Sequence, residues 1–398
     1  MMAVGYKHCY SLQLIIRCNK MNLFARSTTA LTSSSFAQVD QPTHRDVVKE
    51  MALYAKPNTR KGMTIFVADF SLFFVAIAAV LFLPSLGLKI IASVIAGVKL
   101  ANLAAIAHEG AHNSLTASRR LNWWVSVLSF MPCLFNYRLW VYDHHILHHP
   151  HTNGEHADSY QPLSKAAYDA LPPLKKQWYK FTRSGNPLAF GCYYILQRWS
   201  QVKFMPGAFL PAAHRASAWK HTAFVATYFV AFMALLIAAP LYAPITSTTA
   251  VLLGFVLPFF LFQSVLAASL YINHTHPDIP WFDSSNKLKA KLQPEYMTVH
   301  LRFPKWFAGL VHHFYEHPAH HAYPAIPCYE LWAAQSRMNQ MLGARAVVVD
   351  FSLPALTDIF SKCKLYDYEN HCWLDFDGKP TTPTCRLILE NQESLIRV

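Results

Sequence analysis

"TIFVADFSLFFVAIAAVLFLPSL", residues 64–86, runs for more than twenty positions with a single acid, Asp69, near its start. About 20 apolar residues of helix cross a hydrocarbon core of about 30 Å, so this stretch reads as a membrane span. A second, "IIASVIAGVKLANLAAIA" at 90–107, follows after a very short link. The pattern recurs at 222–245, "TAFVATYFVAFMALLIAAPLYAPI", and at 249–272, "TAVLLGFVLPFFLFQSVLAASLYI". Four spans in two tight hairpins bring the chain back to its starting side twice. The tail before the first span, the middle segment 108–220 and the last segment 273–398 therefore share one face. The expected fold is all-α: an integral membrane protein with a helical cap on that face.

Composition agrees, with 53% hydrophobic and only 14% charged residues, against about a quarter charged in an ordinary soluble domain. The net charge of +13 comes without the basic helix or aromatic-interleaved basic strand that nucleic-acid binding uses. Nine Lys/Arg precede residue 63, twelve lie in 108–220 and twelve in 273–398, while the two short links hold only Lys89. The positive-inside rule puts these segments in the cytoplasm, facing anionic headgroups, in a bacterial inner membrane or the endoplasmic reticulum. Lys99, inside the second span, either lines the interior or snorkels to the surface. "WWVSVLSFMPCLF", 123–135, is too short to span and reads as interfacial or re-entrant.

The eight cysteines form no C-x-x-C pair, which fits reduced thiols better than a zinc ribbon or a disulfide framework. "SLQLIIRCNKMNLFARSTTALTSSS", in the first 60 residues, is basic and hydroxyl-rich like a transit peptide. We read it as a partly disordered tail, with Met21 as an alternative start. The organisation expected is a cytoplasmic tail over 1–62, a membrane domain over 63–340 and a cytoplasmic extension over 341–398.

Of 21 histidines, eight fall in 108–156 and eight in 274–321, directly after the second and fourth spans. Because these segments share a face, the two groups can meet. "HEGAH" sets His108 and His112 at i, i+4, one above the other on a helix. The same letters fit the H-E-x-x-H of zinc proteases, but a zinc site takes three or four ligands and this chain offers many more. "HHILHH" (144–149) contains His145, His148 and His149 in an HxxHH pattern, and "HPAHH" repeats it at His317, His320 and His321. "NHTHP" adds His274 and His276.

His108, His112, His145, His148, His149, His274, His317, His320 and His321 are nine candidate ligands, too many for one ion and about right for two. Imidazole suits iron, copper, zinc and nickel alike. His144, His151, His156, His276, His300, His312 and His313 are expected as supporting donors or surface groups. His8, His44, His214, His221 and His371 are expected to be ordinary polar residues at the surface. Asp143, Glu109, Asp158, Asp278 and Glu316 are near enough to orient the ligands, since a metal-bound imidazole usually donates its other N–H.

In these boxes the chain resembles the integral-membrane fatty acid desaturases, a histidine-box di-iron superfamily that also holds hydroxylases, acetylenases and carotenoid oxygenases. The resemblance covers roughly residues 60–340 and rests on "HEGAHNS", "HHILHHPHT", "YINHTHPDIPWFDSS" and "HHFYEHPAHHAYPAIPCYEL". The third of these looks most like the Δ12/omega-6 acyl-lipid branch. Leu270 stands where the stearoyl-CoA branch has an Asn, so that residue's role does not carry over.

The resemblance implies two irons held by imidazole, O2 as co-substrate and a double bond introduced into a long acyl chain carried by phospholipid, coenzyme A or acyl carrier protein. It also implies a separate electron donor of ferredoxin, rubredoxin or cytochrome b5 type: no such cysteine pattern is seen, and "EHPAHH" lacks the glycine pair of the cytochrome b5 haem motif. Such donors are acidic as a rule and match a basic face. Two alternatives stay open: a hydroxylase, acetylenase or carotenoid oxygenase on the same scaffold, and a metal transporter, against which stands the near absence of ionisable ligands inside the spans.

Overall fold

The computed structural model describes residues 42–154, 159–283 and 293–390. The tail with its transit-peptide features, His8, His156 and Asp158 lie outside these. Four helices are long and apolar enough to cross a membrane: α1 (Thr59–Phe82), α2 (Leu86–Ala111), α3 (Ala212–Ile237) and α4 (Ser247–His274). Asn58 caps α1 by accepting from the Lys61 N–H, so the helix starts earlier than the apolar run. It stops before Pro84, and Ser85 caps α2 by accepting from Leu88 N–H. Lys89 donates to the Val80 and Leu81 carbonyls at 2.9 Å each, satisfying acceptors that the end of α1 leaves open. α3 starts at Ala212, not Thr222, because "AAHRASAWKH" is polar yet helical. α4 carries a π turn at Leu252–Val256, just before Pro258, whose missing N–H breaks the α ladder.

α2 packs along both α1 and α4. The approach to α4 is close at Gly97, where a Cβ would lie 3.1 Å from the Pro258 carbonyl oxygen. This lays the C-terminal ends of α2 and α4 side by side, and each ends in a histidine of the predicted set. The 12-residue helix Arg119–Phe130 crosses the end of α2. Ser126 Oγ there donates to the Ala107 carbonyl at 2.8 Å, against Gly110 between His108 and His112.

Between the long helices Lys99 Nζ lies 2.5 Å from Asp69 Oδ1. The lysine is thus an interior ion-pair partner and does not snorkel. Asp69 also takes a short hydrogen bond from His312 Nε2, a residue expected as a supporting donor or surface group.

The fold is mostly helical, but the all-α expectation omits two small sheets. β1 (His300–Arg302) pairs in parallel with β2 (Val348–Asp350), and β3 (Leu365–Asp367) pairs antiparallel with β4 (Cys372–Leu374). Strands of three residues are too short to display an alternating pattern. They tie residues beyond 341 to the rest: β2 completes β1, Tyr271 Oη donates to Cys363 O at 2.9 Å, and Trp373 Nε1 donates to His276 O at 3.0 Å. His371, expected at the surface, is buried, and His44 pairs with Glu295 at 3.0 Å. The described cysteines are all free.

A Cβ on Gly110 would sit 2.5 Å from Ser126 Oγ and 2.7 Å from the Asn122 carbonyl oxygen. Gly110→Ala is expected to destabilise the protein by about 1–3 kcal/mol through overpacking, read as a lower thermal midpoint in detergent. An unchanged midpoint would mean that the helix crossing is not fixed at this contact.

Candidate metal centre

The histidines converge in two groups. His108, His112, His144, His149 and His320 form one, and His148, His274, His317 and His321 the other; in each the ligand nitrogens all lie within 4.8 Å of one another. α2 supplies His108 and, at its C-cap, His112, with ring centroids 4.7 Å apart. α4 supplies its last residue, His274. The helix His317–Ala322 divides its box: His317 and His321, one turn apart, bring their Nε2 atoms to 3.1 Å in the second group, while His320 turns to the first.

The middle box departs from the sequence reading. Tyr142–His148 is π-helical, and the i→i+5 repeat of that helix brings His144 and His149 together, Nε2 to Nε2, at 3.1 Å. An α-helical spacing had selected His145. That ring lies outside both groups, tilted by 39° against the flank of His112 with centroids 4.1 Å apart and its Nε2 buried without a partner. Eight of the nine predicted residues are thus brought together, and His144 joins them. The groups adjoin, His149 and His321 having centroids 4.5 Å apart.

The contacts inside the second group cannot all be hydrogen bonds. Nε2 atoms follow one another as His148, His321, His317 and His274, separated by 3.2, 3.1 and 3.0 Å. Each Nε2 carries either one proton or one lone pair, so it serves one hydrogen bond, and the two middle nitrogens face two neighbours each. A central ion resolves this. Nitrogens about 2.1 Å from one metal, at angles of ~90–110°, stand about 3.0–3.4 Å apart. In the first group His112 Nε2 is buried with no partner. The residues present therefore fit a metal in each group.

Burial, and then the crowding of neighbouring imidazoles, holds His112, His144, His149, His317, His320 and His321 well below the usual histidine range. Burial pushes His145 down to about 4. Neutral imidazole is the form that binds metal.

Carboxylate and amide groups behind the rings fix their aim. Glu109 Oε1 lies 3.2 Å from His108 Nδ1, while its Oε2 accepts from Ser114 Oγ at 2.9 Å and from Cys328 N–H at 2.8 Å. Asn153 Oδ1 stands 3.2 Å from His274 Nδ1 and Thr152 Oγ1 3.3 Å from His321 Nδ1. Gln335 Oε1 accepts from Ala319 N–H at 2.8 Å, holding the helix His317–Ala322. Of these, sequence reading found only Glu109. The "TN" directly after the middle box was the available signal for the next two, whereas Gln335 carries none. Asp143 turns away to Lys203 and Arg198; burial would raise it, but those cations hold it below the usual carboxylate range. Glu316 faces His313 at 3.7 Å and Asp278 faces His276 at 3.9 Å, so neither orients a predicted ligand.

Both groups open onto one cavity of about 300 Å³, where His108, His144, His148, His274 and His317 meet a wall of Val98, Ala101, Ala105, Val265, Leu266 and Phe307. The family model "Fatty acid desaturase" matches residues 84–352, a stretch that contains every histidine of both groups. The chain belongs to the fatty acid desaturase family. It is an oxidoreductase and an integral membrane protein of that family.

Its curated relatives include the sn-1 oleoyl-lipid 12-desaturase of Synechocystis sp., 25% identical over 69% of this chain and 75% of that protein. The chloroplastic omega-6 fatty acid desaturase of Glycine max is 26% identical over 84% and 77%. The sn-1 acyl-lipid omega-3 desaturase (ferredoxin) of Synechocystis sp. is 27% identical over 72% and 77%. The expected likeness to the Δ12/omega-6 branch agrees with the first two names.

Elemental analysis of purified protein is the direct test of this desaturase's centre. His320→Ala and His317→Ala should each lower the bound metal, one variant for each group, with the chain still in the membrane. The π-helical turn adds a sharper expectation, that His144→Ala loses metal and His145→Ala retains it. The reverse result would mean that the box is α-helical when loaded.

Proposed function

We propose that this protein introduces a double bond into an acyl chain carried by a membrane glycerolipid, using two irons, O2 and two electrons from a separate ferredoxin-type donor. The carrying observation is that two histidine groups, each fitted to a metal, share one apolar cavity in a member of the desaturase family. The lipid substrate follows the names of the relatives, two of them sn-1 lipid desaturases, and the donor follows the one named with ferredoxin.

His108, His112, His144, His149 and His320 would hold one iron, and His148, His274, His317 and His321 the other, with His145 beside them. Iron held there supplies the oxidising power to take two hydrogens from adjacent saturated carbons while O2, two electrons and two protons become two waters. The chain's own residues do the rest. Val98, Ala101, Ala105, Val265 and Leu266 hold the acyl chain extended beside the histidines and exclude water, which sets which carbons lie in reach. Glu109 keeps the proton of His108 on Nδ1, so that Nε2 presents its lone pair to the metal. The spans pair into two hairpins, and the histidine-bearing side faces the cytoplasm, where its excess of Lys and Arg belongs and where an acidic donor docks.

The test is lipid analysis of a host expressing the protein beside one expressing His317→Ala. A new double bond in esterified acyl chains, absent with the variant, is the expected result. A hydroxylated chain would assign oxygen rebound instead, and no new lipid with an iron-loaded protein would overturn the reading.

A further inference from the structure

One wall of the cavity is not a span. The short helix Lys305–Leu310 contributes Phe307 and Leu310 to the lining, yet Leu310 is also 58% exposed on the outside and its neighbour Trp306 is 70% exposed. Val98 of α2 and Val265 of α4 have the same double aspect: each lines the cavity and is, respectively, 44% and 45% exposed. Three elements thus present apolar side chains both to the cavity and to the surroundings of the long helices.

The depth of that short helix follows from what it touches. Asn102 Nδ2 donates to the Leu310 carbonyl at 2.9 Å, and at 1.5 Å per residue Asn102 stands about 24 Å along α2 from Leu86, inside a core of about 30 Å. His312 is bonded to Asp69, which stands about 20 Å along α1 from Phe82 on the same measure. Lys99 and His312 hold Asp69 from either side. Immediately after the short helix, His312 and His313 adopt left-handed backbone, with φ of 53° and 56°, and turn the chain back to His317. The bonds to Asn102 and to the buried Asp69 carboxylate thus fix residues 310–312 at the level of the hydrocarbon, while Lys305 and Trp306, residue types that sit at headgroup level, stand at the exposed start of the helix.

We infer that the gap between α2, α4 and the helix Lys305–Leu310 is a lateral doorway, through which the acyl chain of a glycerolipid in the surrounding leaflet slides into the cavity while its headgroup stays at the membrane surface. That this chain is also the substrate rests on the desaturase reading. The occupant is a bilayer lipid because the exposed apolar faces of the doorway continue the lipid-facing surface of the spans.

The full chain, reconstituted in phosphatidylcholine vesicles, is photolysed with phosphatidylcholine that carries a diazirine near the end of one acyl chain, and the adducts are mapped by peptide mass spectrometry. Adducts are expected at Leu310 and Val265 and, inside the cavity, at Ala105 or Phe314. Leu310→Trp, which fills the gap, should lose the interior adducts, and Leu310→Ala should keep them.

Interior adducts undiminished in a folded Leu310→Trp protein, or formed only from a water-soluble acyl-coenzyme A diazirine, would overturn the doorway. Should Leu310→Trp fail to fold, a nitroxide on Leu310→Cys decides: contact with dissolved O2 rather than an aqueous nickel complex is expected, and the opposite defeats immersion. Double-bond formation by the unmutated protein is measured in parallel. Interior adducts without double bonds defeat the functional reading alone, whereas double bonds without bilayer-derived interior adducts defeat the doorway alone.

Discussion

Imidazole nitrogens aimed at two common points, on rings that are mostly buried, are the constraint around which the rest is arranged. A buried polar atom left without a partner costs about 1–3 kcal/mol. His112 Nε2 is such an atom, and the two middle nitrogens of the second group face more neighbours than they can bond. Lowered basicity closes the route of protonation, because burial and mutual crowding both oppose charge on these rings. A metal in each group would answer both the crowding of these nitrogens and their low basicity.

The surroundings serve that convergence. Gly110 lets a crossing helix press against the end of α2, and Glu109, one residue away, spends both carboxylate oxygens on His108, Ser114 and Cys328. On the far side Gln335 steadies the last box through Ala319 and continues through Asn339 to His300, at the start of β1. The small sheet formed with residues 348–350 thus braces the ligand helix from behind.

Much of this was legible in the sequence, because its signals are local. Four apolar runs marked the long helices, and the histidine boxes marked which helix ends must meet. Helix limits were misplaced where the cause was not hydropathy: Asn58 as a cap, Pro84 as a stop, and a polar first turn in α3. The choice between His144 and His145 depended on a π turn, which a repeat read at α-helical spacing conceals. Asp69 was visible as a lone acid and Lys99 as a lone base. The third member of their cluster, His312, bonds Asp69 from more than two hundred residues away and could be found only in three dimensions. Thr152, Asn153 and Gln335 are ordinary polar residues whose roles exist only through the rings they touch.

The interleaving of the boxes bears on how the molecule is made. Each group draws on residues 317–321 as well as on segments nearly two hundred residues earlier or, for His274, on the last residue of α4. Neither can close until the final box has left the ribosome, by which time all four long helices are complete. A metal held by either group would therefore be loaded last, as a clasp on a chain whose long helices are already built. Until then the first group lacks His320 and the second lacks His317 and His321, so one short segment completes both at once.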